Sequence, residues 1–565
     1  MRVVRACAAF AAFAAAIAHA QSGTPADAAA RGVAEQQRAS ERERAQRQQL
    51  QRAPEATTQA APSQAAEWPE AESPCMPIRD IALDGEQADH FSDLLASLHS
   101  GPDAAIGRCL GAVGLDVAAA HAQQAAMRQG YVTTRILLQP QDLSGGRLTL
   151  TVVPGRIRAI RFADGTPPRG TAINAVPAKP GDILNLRDIE QALENFKRVP
   201  TASADIRIEP ADIPGESDLL ISWQQTFPFR LTTTLDDSGA KSTGKYQGSV
   251  TVSYDHWWTL NDLFYATLSH DLGGGATGSR GTRGHTLHYS VPWGYWLLGM
   301  NSTESRYHQS VAGLNQDYLY RGTSRNADLK LSRLVYRDTV RKTTLSLKGW
   351  LKRSTNFIDD TELQPQRRAT GGWELGTTHK ESIGGATLEF SLTHRRGTAA
   401  FNATPAPEDP LEGTARMRVT NADVTVSAPF RIAEQNLRYQ GTFRGQWNGT
   451  PLTPQDRFAI GGRYTVRGFD GESSLSAERG WLVRNDLGLA LGDSGQEAYA
   501  GIDYGQVRGP ASGWLLGKHL AGLAAGLRGN IRNVSYDLFV GRPLSRPAYF
   551  RTAPVVAGFS LTATF

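Results

Sequence analysis

The chain has 565 residues, more than one ordinary domain needs, so two to four structural units are expected. Charged residues make up 20% of the sequence and hydrophobic residues 40%, which is not the composition of a polytopic helical membrane protein. The formal net charge of +5 is spread along the chain. No nucleic-acid partner is therefore predicted, because such a partner requires clustered Lys and Arg.

The N-terminus has the features of a secretory signal peptide. Arg2 and Arg5 supply positive charge, residues 6–18 are apolar, and Ala18-His19-Ala20 forms a small-x-small cleavage site. We therefore predict a signal peptide over residues 1–20, with a retained anchor as the alternative. No later apolar run approaches the ~20 residues of a membrane-spanning helix, so the mature chain is expected to be periplasmic, secreted or an outer-membrane barrel.

Residues 28–53 are rich in Ala, Arg, Glu and Gln, which predicts a helix. Glu43 and Arg47 are four residues apart, a spacing that pairs charges on one helix face. Because the segment has almost no apolar stripe, the helix is expected to lie in water or to line a polar cavity. Residues 54–74 are dominated by Pro, Ala, Ser and Glu and are predicted to form a flexible linker.

Two cysteines remain beyond the signal peptide, Cys75 and Cys109. An even pair in an oxidising compartment predicts a disulfide, with two buried free thiols as the alternative. The pair lacks nearby histidines, and the histidines of the chain show no metal-ligand spacing. Neither a metal site nor a cofactor is predicted.

Residues 75–155 and 156–225 each mix helices with short strands, which predicts two successive α+β modules. In the first module we expect helices near 89–98 and 116–129, and strands over 131–138 and 147–153. In the second we expect a strand around 157–162, a helix over 186–197, and strands over 203–208 and 217–223.

From residue 226 to Phe565 the sequence alternates between apolar and polar residues. In residues 248–255, Val250 and Val252 share one face, and Thr251 and Ser253 share the other. Alternation over so long a stretch indicates a transmembrane barrel of about 16 antiparallel strands rather than a soluble sandwich. Aromatic residues near strand ends are expected to form an interfacial girdle in outer-membrane lipid, namely Trp257, Trp258, Trp293, Tyr295 and Trp296.

The last eight residues, GFSLTATF, form one more alternating segment that ends on Phe565. A terminal amphipathic strand closing on an aromatic residue resembles the signal that outer-membrane barrels present to the barrel assembly machinery. Phe565 is therefore the predicted assembly signal, and the alternative is a soluble protein that ends in a strand. Two stretches that superficially suggest chemistry, residues 239–246 (near a P-loop) and 492–495 (GDSG), are predicted to be turns.

Three stretches resemble the TpsB transporters of two-partner secretion (the ShlB/FhaC/HecB type), which export filamentous haemagglutinin and haemolysin. They are residues 130–157 and 184–219, similar to the family's two POTRA modules, and residues 461–471 (GGRYTVRGFDG), similar to the VRGY/F motif of its sixth extracellular loop. The order of signal peptide, helix, linker, two modules and barrel is similar across essentially the whole chain.

This resemblance implies roles for particular residues. The helix at 28–53 would plug the barrel, and the two modules would capture an unfolded client in the periplasm by lending it a sheet edge. Val466, Arg467, Gly468 and Phe469 would fold back into the barrel as a lock. There the planar guanidinium of Arg467 would pair with an acidic wall residue, for which Asp503 is the candidate. The alternative is a solvated loop arginine.

The function that the resemblance implies is transport rather than catalysis. An outer-membrane pore would carry a large TpsA-type exoprotein (an adhesin, haemolysin or growth inhibitor) to the cell surface without nucleotide. The alternative is an assembly factor that inserts other barrels or autotransporters, although such factors usually carry three or more modules.

Overall fold

The computed structural model describes residues 25–51, 55–56, 67–101, 103–313, 315–404 and 413–565. The predicted signal peptide and much of the predicted linker lie outside these ranges. The α-helices are α1 (Pro25–Leu50), α2 (Leu95–His99), α3 (Ala112–Arg128) and α4 (Leu186–Lys197). Short 3-10 helices cover Ala88–Leu94, Gln364–Gln366, Ala400–Asn402, Pro454–Asp456 and Pro510–Trp514. None of the helices in the described ranges is long and apolar enough to cross a bilayer.

The first module packs α2 and α3 on a small sheet. Its strands are β1 (Met76–Pro77), β2 (Asp80–Gly85), β3 (Cys109–Leu110), β4 (Arg135–Leu138) and β5 (Arg147–Val153). The sheet order is β2-β5-β4, with β2 parallel and β4 antiparallel to β5. A disulfide joins Cys75, which precedes β1, to Cys109 of β3, and so links the two strands of this pair covalently.

Three of the elements expected in the first module differ in the structure. The helix expected over 116–129 begins four residues earlier, at Ala112, and ends at Arg128. The helix expected over 89–98 begins as a 3-10 helix and becomes α-helical only at Leu95. The strand expected from Tyr131 begins at Arg135, because the backbone N–H of Tyr131 still bonds Ala126 at the end of α3. The side chain of Gln123 then bonds the backbone of Thr134 and Ile136.

The second module has strands β6 (Arg156–Phe162), β7 (Ala202–Pro210) and β8 (Glu216–Gln225) in the order β6-β8-β7. Helix α4 coincides with the predicted 186–197 segment, and the side chain of Asn185 caps it by accepting from the N–H of Arg187 (2.8 Å). Trp223 and Phe196 are fully buried between the helix and the sheet.

The rest of the chain forms a closed antiparallel barrel of 16 strands, as the alternation predicts. The strands are β9 (Phe229–Asp236), β10 (Gln247–Asp255), β11 (Leu263–Asp271), β12 (Arg280–Trp293), β13 (Trp296–Ala312), β14 (Asp317–Arg337), β15 (Arg341–Ile358), β17 (Arg368–Ile383), β18 (Ala386–Thr398), β19 (Arg418–Ile432), β20 (Gln435–Asn448), β23 (Arg479–Ala490), β24 (Gln496–Arg508), β25 (His519–Ile531), β26 (Val534–Ser545) and β27 (Val556–Thr564). A two-residue strand, β16 (Thr361–Glu362), extends β15, and β21 (Phe458–Ile460) pairs with β22 (Leu475–Ala477) as a separate hairpin.

The barrel has two distinct ends. The second module leads into β9 at one end, which we call the module end; the longer loops lie at the opposite, far end. The segment 239–246 is the far-end loop between β9 and β10, and 492–495 is the tight turn between β23 and β24, so both are turns as predicted. The last strand, β27, pairs with β9 to close the barrel.

The alternating residues separate to the two faces of the barrel wall. Val250 and Val252 are 45% and 43% exposed on the outside, whereas Thr251 and Ser253 are buried inside. The tryptophans of the predicted girdle are exposed at the module end: Trp257, Trp258, Trp293 and Trp296. Tyr295 differs, because its hydroxyl donates to Asp188 of the second module.

Candidate functional site

Helix α1 lies inside the barrel and runs along its axis. Near the far end, Glu35 accepts a hydrogen bond from Thr243 in the β9–β10 loop (2.9 Å). Near the module end, the Gln51 amide donates to Tyr265 of β11 (3.1 Å). The predicted 28–53 helix therefore exists, three residues earlier in the chain, and it lines a polar cavity rather than lying in open water.

Side-chain hydrogen bonds connect α1 to the wall at several points along its length. Gln46 donates to Thr251 (3.1 Å), and Thr303 donates to Glu43 (3.1 Å). The charges of α1 are largely paired within the helix, as Glu35 binds Arg38 and Arg42, and Arg47 binds Glu43. Because most of these ion pairs lie within the helix, α1 can leave the wall without leaving many buried charges unpaired.

Part of the lumen stays open beside α1. A cavity of about 790 Å³ lies between the helix and the wall, and charged side chains such as Arg283, Lys348 and Arg444 line it. Gly32 of α1 has no room for a Cβ, because the rings of Tyr307 and Tyr320 pack directly against its backbone. The helix therefore fits the wall closely near the far end and leaves an aqueous space elsewhere.

The sixth far-end loop, residues 449–478, folds back into the barrel. Its β21–β22 hairpin carries the motif 466–469 to the inner wall. Val466 and Phe469 are buried in an apolar cluster with wall residues that include Leu482 and Leu520. Phe469 also packs edge-on against Phe550, with ring centroids 5.8 Å apart. The loop is held as part of the fold and not as a solvated segment.

Arg467 reaches two carboxylates on the wall. Its Nε and Nη2 donate to the two oxygens of Asp503 (both 2.7 Å), and its backbone N–H donates to Asp503 as well (2.9 Å). Nη2 also contacts Asp486 of β23. Asp503 is completely buried and Arg467 is 4% exposed. The structure therefore brings together the predicted pair and adds Asp486, which the sequence reasoning missed.

The lumen-facing position of Asp486 could have been predicted from the sequence. It lies two residues after Arg484 in an alternating strand, so both side chains face the lumen. Arg484 of β23 also stands opposite Asp503 of β24 in the strand register. Further charges facing the lumen are therefore expected on β23, the strand next to Asp503.

Glycines allow the loop to approach the wall at the motif. Gly468 has a φ of +90°, and a Cβ there would overlap the backbone of Arg542 in β26. A Cβ on Gly522 in β25 would overlap the carbonyl oxygen of Arg467. The motif is thus held by backbone contact on one side and by the carboxylates on the other.

Phe565 lies at the closing line of the barrel. Its backbone N–H and carbonyl exchange hydrogen bonds with Leu231 of β9 (2.9 and 3.0 Å), and its side chain is 67% exposed. Above this line, Arg463 of the sixth loop donates to Asp237 and to the carbonyl of Phe559 (both 2.8 Å). The sixth loop therefore also contacts the closing strands.

The second module docks against the module end of the barrel. Asn174 donates to the carbonyl of Pro292 (2.9 Å) and Asn195 to that of Gly294 (2.8 Å). Asp188 of α4 accepts from Tyr295, and burial at this contact raises the pKa of Asp188. These contacts join α4 to the β12–β13 turn.

Comparisons with known proteins agree with this architecture. The family of haemolysin secretion/activation proteins ShlB/FhaC/HecB matches residues 215–529, more than half of the chain. A POTRA domain of the ShlB type matches residues 76–155, and a second POTRA domain matches residues 156–210.

Individual relatives match over most of their length. The chain is 38% identical to the outer membrane transporter CdiB-2 of Burkholderia pseudomallei over 466 residues, covering 81% of this chain and 79% of that one. It is 24% identical to the hemolysin transporter protein ShlB of Serratia marcescens, covering 83% and 82%. The solved structure of CdiB from Acinetobacter baumannii superposes with a TM-score of 0.82 at 30% identity, covering 94% and 99%.

These matches identify the module end as periplasmic and the far end as extracellular. The chain therefore belongs to the ShlB/FhaC/HecB family of outer-membrane transporters of two-partner secretion, with two periplasmic POTRA domains and a 16-stranded barrel.

Proposed function

We propose that this chain exports one large, unfolded exoprotein of the TpsA type through its barrel, without nucleotide and without catalytic chemistry. The observation that supports this most directly is a membrane-spanning lumen filled by α1 through polar contacts. Departure of α1 leaves a hydrophilic passage lined by Thr251, Thr303 and the charged wall. The relatives are named as transporters, and one of them as a hemolysin transporter.

The periplasmic modules supply a place for the client to bind. Within the described ranges, strand β7 pairs with β8 alone, so its other edge is open to an added strand. Asp205, Arg207 and Glu209 alternate along this edge strand. An extended client segment that adds beside β7 would gain main-chain hydrogen bonds, and the side chains would set its specificity.

The sixth loop completes the proposed mechanism. Val466, Arg467, Gly468 and Phe469 act as a lock that holds the loop on Asp503 and Asp486, and Phe565 acts as the assembly signal. The proposal keeps the predicted domain boundaries. The signal peptide ends at residue 20, the plug helix at 53, the linker at 74, and the two POTRA domains at 155 and 225.

Deletion of the gene tests the proposal. The large exoprotein that the chain is proposed to export should disappear from the medium and return on complementation with the intact chain. Undiminished secretion by the deletion strain would refute transport. Loss of several unrelated outer-membrane barrels would instead favour the assembly-factor alternative. Against that alternative, the described chain has two modules, whereas assembly factors usually carry three or more.

A further inference from the structure

A short segment between α1 and the first POTRA domain is held at the junction of the second POTRA domain and the barrel. Arg337 at the periplasmic end of β14 donates to the carbonyl of Ala56 (2.6 Å) and to Glu194 of α4 (3.1 Å). The backbone N–H of Ala56 donates to the same Glu194 (3.1 Å). We call this set of Ala56, Glu194 and Arg337 the clasp.

The clasp is buried and supported on several sides. The Arg337 side chain is 3% exposed, and its Nε donates to Glu190 (2.9 Å). Lys342 contacts Glu194 from β15, and Lys380 of β17 contacts Glu55 beside the clasp. The POTRA domain and the barrel therefore both contribute to holding two residues of the segment that follows α1.

A second attachment lies further along the same segment. Trp68 packs on the ring of His121 (centroids 5.1 Å apart) and under the guanidinium of Arg108 (4.7 Å). The carboxylate of Glu72 then accepts from the N–H groups of Gly111 and Gly114 at the start of α3 (2.7 and 2.9 Å). The segment is thus fixed to the first POTRA domain as well.

The length of chain between α1 and each attachment determines how far the helix can move while that attachment is closed. Helix α1 has 26 residues, which at 1.5 Å per residue make it about 39 Å long. From Leu50 to Ala56 the extended chain spans at most about 21 Å, whereas from Leu50 to Trp68 it spans at most about 63 Å. The shorter tether is only about half the length of α1, so it prevents an intact α1 from moving fully out of the lumen toward the periplasm, whereas the longer tether exceeds the length of the helix.

We propose that the clasp is the release point for α1: it holds the helix in the pore, and it must open before the helix leaves, while the Trp68 attachment stays closed throughout. This inference rests on the proposed transport function. It also gives the second POTRA domain a direct means of control, because a client that moves α4 moves Glu194 and so removes one of the two partners of Ala56.

Cross-linking tests the proposal in the full-length protein. An Ala56→Cys/Glu194→Cys variant, joined by a short bismaleimide that does not react with the Cys75–Cys109 disulfide, fixes the clasp shut. Export of the exoprotein should fall at least about tenfold on cross-linking. The matched Trp68→Cys/Arg108→Cys variant, cross-linked in the same way, should export as well as the unmodified protein.

A tether insertion distinguishes the clasp from any other effect of cross-linking. Inserting about twelve flexible residues after Gln51 gives the fixed clasp a tether as long as the native one to Trp68, and export should return. Normal export by the cross-linked clasp, or no recovery with the insertion, would overturn the clasp. Absence of export by the unmodified protein would instead refute the transport function.

Discussion

Among single residues, Arg467 and Asp503 form a charged contact that is almost completely buried. The guanidinium of Arg467 satisfies both oxygens of Asp503 and reaches Asp486. Removing one partner of such a pair leaves a buried charge without compensation, at a cost of about 3–5 kcal/mol. That cost falls on the position of the sixth loop, because the strands of the barrel are joined independently by their own ladders.

We expect Arg467→Ala to leave an assembled, heat-modifiable barrel and to lower export at least about tenfold. Arg467→Lys should export at an intermediate level, because a single ammonium cannot grip both carboxylates. The exposed Arg508 provides the control, and Arg508→Ala should export normally. Export of the exoprotein and barrel migration on gels measure the two effects. Normal export by Arg467→Ala would contradict the lock.

Gly522→Ala tests the same loop position from the wall side. The added Cβ overlaps the carbonyl of Arg467, so the motif must move even though its own side chains are unchanged. Export should fall as it does for Arg467→Ala, and a cysteine placed in the motif should become accessible to maleimide. Gly349→Ala on β15, where a Cβ meets open space, is the matched control. Equal export by the two alanine variants would show that the close approach is unimportant.

At the scale of elements, α1 is an unusual helix because it is buried without being apolar. The polar composition excluded a packed core helix, and the structure shows that the polar surroundings are the barrel wall. Deleting residues 25–50 should leave the barrel assembled and raise its ion conductance in planar bilayers several-fold. Deleting Ser494, in a periplasmic turn far from the lumen, should leave conductance unchanged. Unchanged conductance after loss of α1 would refute the plug.

The terminal strand separates a backbone role from a side-chain role for Phe565. The backbone of Phe565 pairs with Leu231, while the ring is exposed on the barrel surface. Phe565→Ser keeps the backbone pair and removes the ring, and we expect its amount in the outer membrane to fall at least about threefold. Phe565→Tyr should accumulate normally. Wild-type amounts of the serine variant would show that the ring is not a signal.

For the molecule as a whole, a few buried amides dock the second POTRA domain on the barrel. Asn174→Ala leaves the carbonyl of Pro292 without its donor, which costs about 1–3 kcal/mol at the docking surface. We expect faster protease cleavage between the second POTRA domain and β9. Asn436→Ala, at an exposed position at the start of β20, is the control. Equal cleavage of the two variants would show that Asn174 does not hold the docked arrangement.

The local sequence pattern predicted most of the helices and strands of this molecule. It did not predict contacts between residues that are distant in sequence. Helix α4 and strand β5 begin and end at the predicted residues, because each is an amphipathic segment with clear boundaries. The strand expected at Tyr131 starts late because the end of α3 retains that residue. Arg337 could not be paired with Glu194 from sequence, since two domains must dock before the contact exists.

The ladder between β27 and β9 is the pairing that closes the barrel. Each of the other barrel strands pairs with the next barrel strand along the chain, but Leu231 of β9 pairs with Phe565, more than 300 residues later. The β27–β9 ladder is also short, with five residue pairs. Pairings so distant in sequence are slow to form. Until they form, β9 presents a free edge on which other chains can aggregate. The time for which the edge of β9 stays unpaired, rather than the number of strands, therefore determines the risk of aggregation while this barrel assembles.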